Sequence, residues 1–488
     1  MRWFRATGIL AALAFTVLLG IRLGLWDALV SQPRRLPGTA AAAHPERESW
    51  MSIFQNNRQV GFSHSRLRPG ETGYVLEETV LMRINTMGMV QELRLNSRFQ
   101  LNRELVLEQF DFEIESGRFR FSARGRVTGD VLSVETDSGG IGGRIDIPAV
   151  GGIRPVAALA DALARADLAP GARYELEVFD PAAMARVPVI AEIIGPEAIE
   201  VMGEPVTATR ITLNFRGMIQ TAWIGPNGDL LRERGLLGMR LEKSSREQAL
   251  TPLGREAGPD LAEAAAITPD RPIDAPKERE LLRLRLRGPL PEGLHLNGGR
   301  QSMAGGVLTI RRESLAELEG PSGAAELKAF ERVYLRAEPF IQSDHEKFRA
   351  VVRSVLGDDP QMAPLEKARA LMDWIQVHIQ KRPVLSMPDA LATLENRMGD
   401  CNEHAMLFAA LARAAGIPAR VEAGLVYMQG RFYYHAWNLL FLGRWVTADA
   451  LFNQIPADVT HLRLVTGSMQ QQFDLLGVMG QLQIDILD

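Results

Sequence analysis

From Trp50 to about Leu250 apolar and polar residues recur with a period of two. YVLEETVLMRI (74–84), LRLNSRFQL (93–101) and GRFRFSARGRV (117–127) alternate or carry strand-forming residues between glycine-bearing turns, which predicts antiparallel strands with one buried face. One helical stretch interrupts them, Pro155 to Ala166, and it ends near Pro170 and Gly171. Residues 49–250 therefore read as one large antiparallel β-rich domain folded around or against a helix. Residues 251–278 hold five prolines and little apolar periodicity, the pattern of a linker. The strand-like LLRLRLR and GGVLTIRR follow in a connector over 279–323. From Ala324 the period changes to that of helices, over 325–336, 347–356 and 365–380. Strands return after Pro418, in ARVEAGLVY, RFYYHAWNLLFL and RWVTADAL. Helices followed by an antiparallel sheet predict an α+β domain over 324–488.

The first thirty residues carry a different pattern. Arg2 and Arg5 precede an uncharged run from Ala6 to Ile21; Arg22 interrupts it, and apolar residues resume to Trp26. A membrane span needs roughly 20 apolar residues, and an arginine near one end reaches the headgroups with its side chain. A small-residue cleavage pattern, Ala40 to Ala43, lies about twenty residues beyond the run, too far for ordinary signal processing. The expectation is a signal-anchor helix over 1–30 and a Pro-, Ala- and Arg-rich tether over 31–48. Most of the chain would then lie on the periplasmic side of a bacterial inner membrane as a single-pass protein, although Arg34 and Arg35 work against that orientation.

Composition narrows the rest. A chain of 488 residues exceeds one compact core. A net charge of −4 gives no general attraction to nucleic acid, and no nucleic-acid-binding motif is present. With Cys401 as its one cysteine the chain has no internal disulfide. In RFRFSARGR, alternation sets Arg118, Arg120, Arg124 and Arg126 on one strand face and Phe119 and Phe121 on the other. This is a solvated face over a buried one, or, more sharply, a docking surface for an anionic polymer or lipid headgroup.

The candidate chemistry lies in GDCNEHAMLFAALARAAGIP, residues 399–418. Asp400 with Glu403 three positions on is a capping-box pattern. Ala405, Phe408, Leu411, Ala412 and Ala415 mark a helical face, and Gly416 and Pro418 supply the stop. Cys401 thus falls at the first helical position, where unpaired N–H groups and the helix dipole lower a thiol pKa and offer donors to an oxyanion. The plain alternative is a buried, inert cysteine. A base comes from His404, on the same helix, or better from His435. A hairpin with the three-residue loop Phe441–Gly443 sets His435 opposite Asp449, near enough for a carboxylate to orient an imidazole; a one-residue slip would part them. Thiol, imidazole and carboxylate fill the roles of nucleophile, base and orienter.

GDCNEHA, FYYHAW, the aspartate of TADALFNQ and the following QIPADVTHLRL resemble bacterial transglutaminase-like proteins, over roughly residues 360–470. The resemblance implies a papain-like fold with a Cys-His-Asp triad in that chain order: Cys401 the nucleophile, His435 the general base and acid, Asp449 its orienter. It implies no cofactor or metal, a peptide or protein substrate, and cleavage of amide bonds through a thioester. Acyl transfer from glutamine to an amine and a non-catalytic binding module are the alternatives. Ala450 stands where relatives often have proline. Trp374 and Gln376 lie upstream, Trp374 at a helical core position, and no oxyanion side chain follows from the resemblance. Glu403 and His404 lack the spacing of a zinc motif. Asp458 and His461 are spaced as a turn or cap, with a place on the active-site rim as the sharper reading, and Trp437 shares a strand face with His435.

Overall fold

A computed structural model describes residues 34–35, 46–138, 140–254, 258–291, 293–316, 333–357, 359, 361–385, 387–467, 475 and 478–487. The anchor expected at 1–30, most of the tether, and most of the helix expected at 325–336 lie outside these residues. Among the described residues no helix is long and apolar enough to cross a membrane.

The alternating region folds as expected, into one sheet of sixteen described strands. Eight consecutive strands from Arg47 to Pro148 form an antiparallel meander. Six more from Arg173 to Lys243 form a second one. The two join where Met239–Lys243 pairs antiparallel with Met51–Gln55. Several hairpins turn on two residues of positive φ, such as Asn56–Asn57 and Met87–Gly88, whose twist matches that of the flanking strands. Inward positions such as Phe99, Phe110, Phe121, Leu132 and Val134 are almost fully buried. A short helix, Leu159–Leu163, follows the first meander. This helix and strands of both meanders line one cavity of about 260 Å3, so the sheet curls around it.

The arginine-rich strand begins at Phe119, with Arg118 in the preceding turn. Arg120 pairs with Glu113 and Glu115, Arg124 with Asp111 at 3.2 Å, and Arg126 donates to Gln109 at 2.7 Å. Exposed ion pairs of this kind contribute little to stability, but they neutralise Arg120 and Arg124 locally and favour the reading of this face as a solvated surface. Arg118 points elsewhere: it donates to the Asn396 carbonyl at 3.3 Å. Gln91 likewise donates to the Pro383 carbonyl at 3.1 Å, and Met387 is buried in the apolar cluster of the sheet domain. The sheet domain therefore leans on the segment that leads to Cys401.

In the C-terminal domain, α1 (Glu346–Leu356), α2 (Pro364–His378), α3 (Ala390–Asn396) and α4 (Cys401–Ala414) precede β1 (Ala419–Met428), β2 (Arg431–Phe441), β3 (Trp445–Ala448) and β4 (Leu462–Thr466). The strands form an antiparallel sheet in the order β3-β2-β1-β4. The sequence marks one apolar face on α4, but every residue from Glu403 to Arg413 is buried. A helix buried all round is the central element of its domain, and α4 shares one core with α1, α2, α3 and the sheet.

The connector strands Leu281–Arg287, Gln301–Ala304 and Val307–Arg311 take in Gln483–Ile486 to form a second sheet. Its Leu282, Leu284, Leu308 and Ile310 pack with Leu425, Phe432 and Leu462. The proline-rich segment is strapped to the same domain: Ile267 exchanges backbone hydrogen bonds with Phe432, and Ile267 and Ile273 are buried.

Candidate active site

Local chemistry fixes where α4 begins. The Asp400 carboxylate accepts from the Asn402 N–H at 2.9 Å, and Glu403 returns a carboxyl oxygen to the Asp400 N–H at 2.9 Å, closing the capping box. Gly399 is required there, because a Cβ on it would lie 2.2 Å from the Glu403 Cβ. At the far end Gly416 adopts φ +81°, and the Ile417 N–H reaches back to the Ala412 carbonyl at 2.8 Å, ending the helix as its glycine predicts. Cys401 is the first helical residue, half-buried, and the Ala436 N–H beside His435 donates to its sulfur. Asn438 ties the same strand to α4 through the Ala405 carbonyl at 2.8 Å.

The thiol itself departs from expectation. Burial pushes Cys401 well up, and the Asp400 carboxylate pushes it further. The helix terminus that was expected to lower it is already capped by that same carboxylate. Burial and Asp400 also push Glu403 up. The Cys401 N–H is the first-turn donor, among the described residues, that the cap leaves over.

His435 lies on β2 opposite Gly424 of β1. Its Nε2 is 2.6 Å from Asp449 Oδ2. The register behind this contact differs from the one expected: Asn438 pairs with Ala448 and Phe441 with Trp445, so the loop is Leu442–Arg444. Asp449 is therefore not cross-strand from His435. It lies just past β3, where it exchanges backbone hydrogen bonds with Gln454. The shift is two residues, which keeps both side chains on one face, and the contact survives for that reason. The Phe452 ring stacks on the His435 ring, with centroids 4.7 Å apart and planes at 14°.

Asp449 is saturated. Its Oδ1 accepts from the N–H groups of Leu451 at 2.7 Å and Phe452 at 2.9 Å, and its Oδ2 from His435 and, at 2.9 Å, from His461 Nε2. Burial alone would raise this carboxyl, but the two imidazoles outweigh burial and hold it well below the usual carboxylate range. His461 is completely enclosed, with its Nδ1 3.3 Å from Asp458 Oδ1. Burial opposes its charge, and the Asp449 and Asp458 carboxylates more than compensate, so it is raised. The ligand-type atoms of His435, Asp449 and His461 lie within 4.8 Å of one another. They could hold a cation only by giving up two hydrogen bonds to one oxygen.

The other candidates separate cleanly. Trp437 is buried behind the pair, donates to Glu422 at 2.9 Å, and sets its ring perpendicular to that of His461 with centroids 5.2 Å apart. His404 turns back to the Asp400 carbonyl at 2.7 Å, and burial lowers it. Trp374 is half-buried and packs against the core of the domain, covered by His378 and by the Arg397 guanidinium. Gln376 donates to the Ala450 carbonyl, which braces the residue after Asp449. His461 is the partner that sequence reasoning read as part of a turn or cap, with the active-site rim as the sharper alternative. Its position soon after the hairpin was the available signal.

A buried helix with a thiol at its first residue, packed on an antiparallel sheet that carries an imidazole–carboxylate couple, is the architecture of a papain-like core. Residues 349–450 match the Transglutaminase-like superfamily, and the C-terminal domain belongs to that superfamily. No curated protein matches the chain. Among solved structures, the chain is similar to a β-barrel-like protein of a domain of unknown function from Brucella abortus, at 10% identity and TM-score 0.34, over 42% of this chain and 98% of that one. A candidate cysteine protease from Cytophaga hutchinsonii is similar at 17% identity and TM-score 0.25, over 42% of this chain and 83% of its own. The periplasmic domain of TgpA from Pseudomonas aeruginosa is similar at 16% identity and TM-score 0.24, over 38% and 75%.

Proposed function

We propose that the protein is an exported thiol enzyme that hydrolyses peptide or protein amide bonds through an acyl-enzyme on Cys401. The observation that carries this reading is the 2.6 Å contact between His435 Nε2 and the saturated, ionised Asp449, on the strand whose Ala436 N–H touches the thiol. An ionised carboxylate accepts, so Nε2 carries the proton and Nδ1 is the basic nitrogen. In this reading Cys401 Sγ bonds to the substrate carbonyl carbon while its proton passes to Nδ1. The carbonyl π pair moves to oxygen, where the Cys401 N–H is available as a donor. The His435 imidazolium then protonates the leaving amine, the C–N bond breaks, and a thioester remains. Water attacks the thioester with His435 as base, releasing the acid and the free thiol.

Product analysis on peptide substrates, with and without an added primary amine, tests the reading. Free acid as the main product, lost in Cys401→Ser, is expected. Amine conjugates as the main product would favour acyl transfer from glutamine, and no turnover would favour a non-catalytic binding module. Single-pass anchoring in a bacterial inner membrane, with the bulk of the chain in the periplasm, belongs to the same proposal and is supported by the basic-then-apolar order of residues 1–30. Release of the protein by alkaline extraction of membranes would count against the anchor.

A further inference from the structure

The Asp449 carboxylate serves two imidazoles, and only one of them has a role in the reaction above. His461 Nε2 shares Asp449 Oδ2 with His435 Nε2, at 2.9 and 2.6 Å, and the two rings lie 5.8 Å apart. The second imidazole is built in. Its Nδ1 faces Asp458 Oδ1, and Asp458 in turn accepts from the Thr460 hydroxyl at 2.6 Å, the Thr460 N–H at 2.9 Å and Gln454 at 3.0 Å. Gln454 closes the ring by exchanging backbone hydrogen bonds with Asp449. The loop from 449 to 461 is thus a closed circuit of hydrogen bonds that meets His435 at the shared oxygen and at the stacked ring of Phe452.

We propose that His461 is a positioning residue: braced between Asp449 and Asp458, it fixes the Asp449 carboxylate and, through the shared oxygen, the orientation of the His435 ring. This deepens the reading of Cys401 and His435 given above and rests on it. The physical reason is that a carboxylate held by four hydrogen bonds cannot turn, so the oxygen offered to His435 stays in one place. The charged groups around His461 agree with this assignment. Asp449 and Asp458 face its ring. The Arg300 guanidinium donates to its backbone carbonyl at 3.2 Å, not to the ring. Glu313, Glu422, Arg420 and Arg463 line, with Arg300 and His461, a cavity of about 200 Å3. Arg300 lies 3.7 Å from Glu313, and Arg463 lies 3.2 Å from Glu422.

The test is the rate of Cys401 alkylation by iodoacetamide in the full-length protein, which needs no substrate, measured beside a thermal melt. In His461→Gln a donor to Asp449 is kept, and in His461→Ala it is lost. His461→Ala should slow alkylation about 10-fold, by loosening the carboxylate that orients His435, and His461→Gln should restore most of the rate. Asp458→Asn, which weakens the brace on His461 without touching Asp449, should slow it by less, and it serves if His461→Ala does not fold. A merely structural role would lower the melting temperature without a rescue of the rate by glutamine. Equal rates in His461→Ala, His461→Gln and the wild type would overturn the proposal. Loss of amide hydrolysis as a function, with the alkylation rate still responding to His461, would leave the role of His461 standing and remove only the activity assigned above.

Discussion

Gly399→Ala should disable the site while leaving the fold in place. A Cβ at this position would meet the Glu403 Cβ at 2.2 Å and its Cγ at 2.7 Å, against ordinary carbon contacts of about 3.5–4.0 Å. The gap to be opened is therefore about 1 Å or more. Glu403 cannot yield freely, because its carboxyl group is bonded to the Asp400 N–H at 2.9 Å and its side chain is buried. Either the capping box breaks, at a cost of about 0.5–2 kcal/mol, or the start of α4 moves and carries Cys401 with it. A displacement of about 1 Å at a reacting group costs on the order of 100-fold in rate. Gly416→Ala is the matched control at the other end of the helix: φ is +81°, with nothing within 4 Å of the added atom, so it should cost about 1–2 kcal/mol of stability and little rate. The assay is the second-order alkylation rate of Cys401 and kcat/KM on a peptide, each beside a thermal melt. Equal rates in Gly399→Ala and Gly416→Ala would refute the reasoning that this glycine positions the thiol.

Two further predictions concern the frame around the site. Burial pushes Glu78 and Glu233, which line the cavity of the sheet domain, from the ordinary 4.5 up to about 7. Raised carboxyls bind more protons in the folded state, so the contribution of these two to stability is greatest below about pH 4.5 and is lost as pH rises through 7; the loss is at most ~3 kcal/mol per glutamate and less where cavity water screens it. Denaturant titrations at pH 5 and pH 8 should show that fall in the wild type and a flatter dependence in Glu233→Gln, and a wild-type stability that rises over this range would argue against it. At Gly424 a Cβ would lie 2.0 Å from the Leu462 carbonyl oxygen, so Gly424→Ala should force β4 away from β1, move the adjoining His461, and cost about 1–3 kcal/mol in a thermal melt; an unchanged melting temperature would count against this packing.

Much of this was legible along the chain, because the signals were local. The Asp400–Glu403 box and the Gly416–Pro418 stop bound α4 as their chemistry requires, and alternation located the strands, including Leu281–Arg287 over its full length. What escaped depends on contacts distant in sequence. A three-residue loop could be centred on Leu442 or on Gly443, and only packing chooses between registers. The Cys401 thiol was expected to be lowered because a helix terminus is visible in sequence, whereas burial and a capping carboxylate already seated on that terminus are tertiary facts. Asp458 and His461 read as a turn because their bond is local, and the bond from His461 to Asp449 reaches back twelve positions across the sheet. The proline-rich segment carries few apolar residues, yet two of them, Ile267 and Ile273, are enough to dock it.

The central claim is that His435, oriented by Asp449, draws the proton from Cys401. The most direct measurement is the rate of Cys401 alkylation at pH 7 in the wild type, His435→Ala and Asp449→Asn, with the fold checked by circular dichroism. Removal of the base should slow alkylation by about 100-fold, with Asp449→Asn slowed to an intermediate extent. Equal rates in all three proteins would contradict the account and leave Cys401 an ordinary buried thiol.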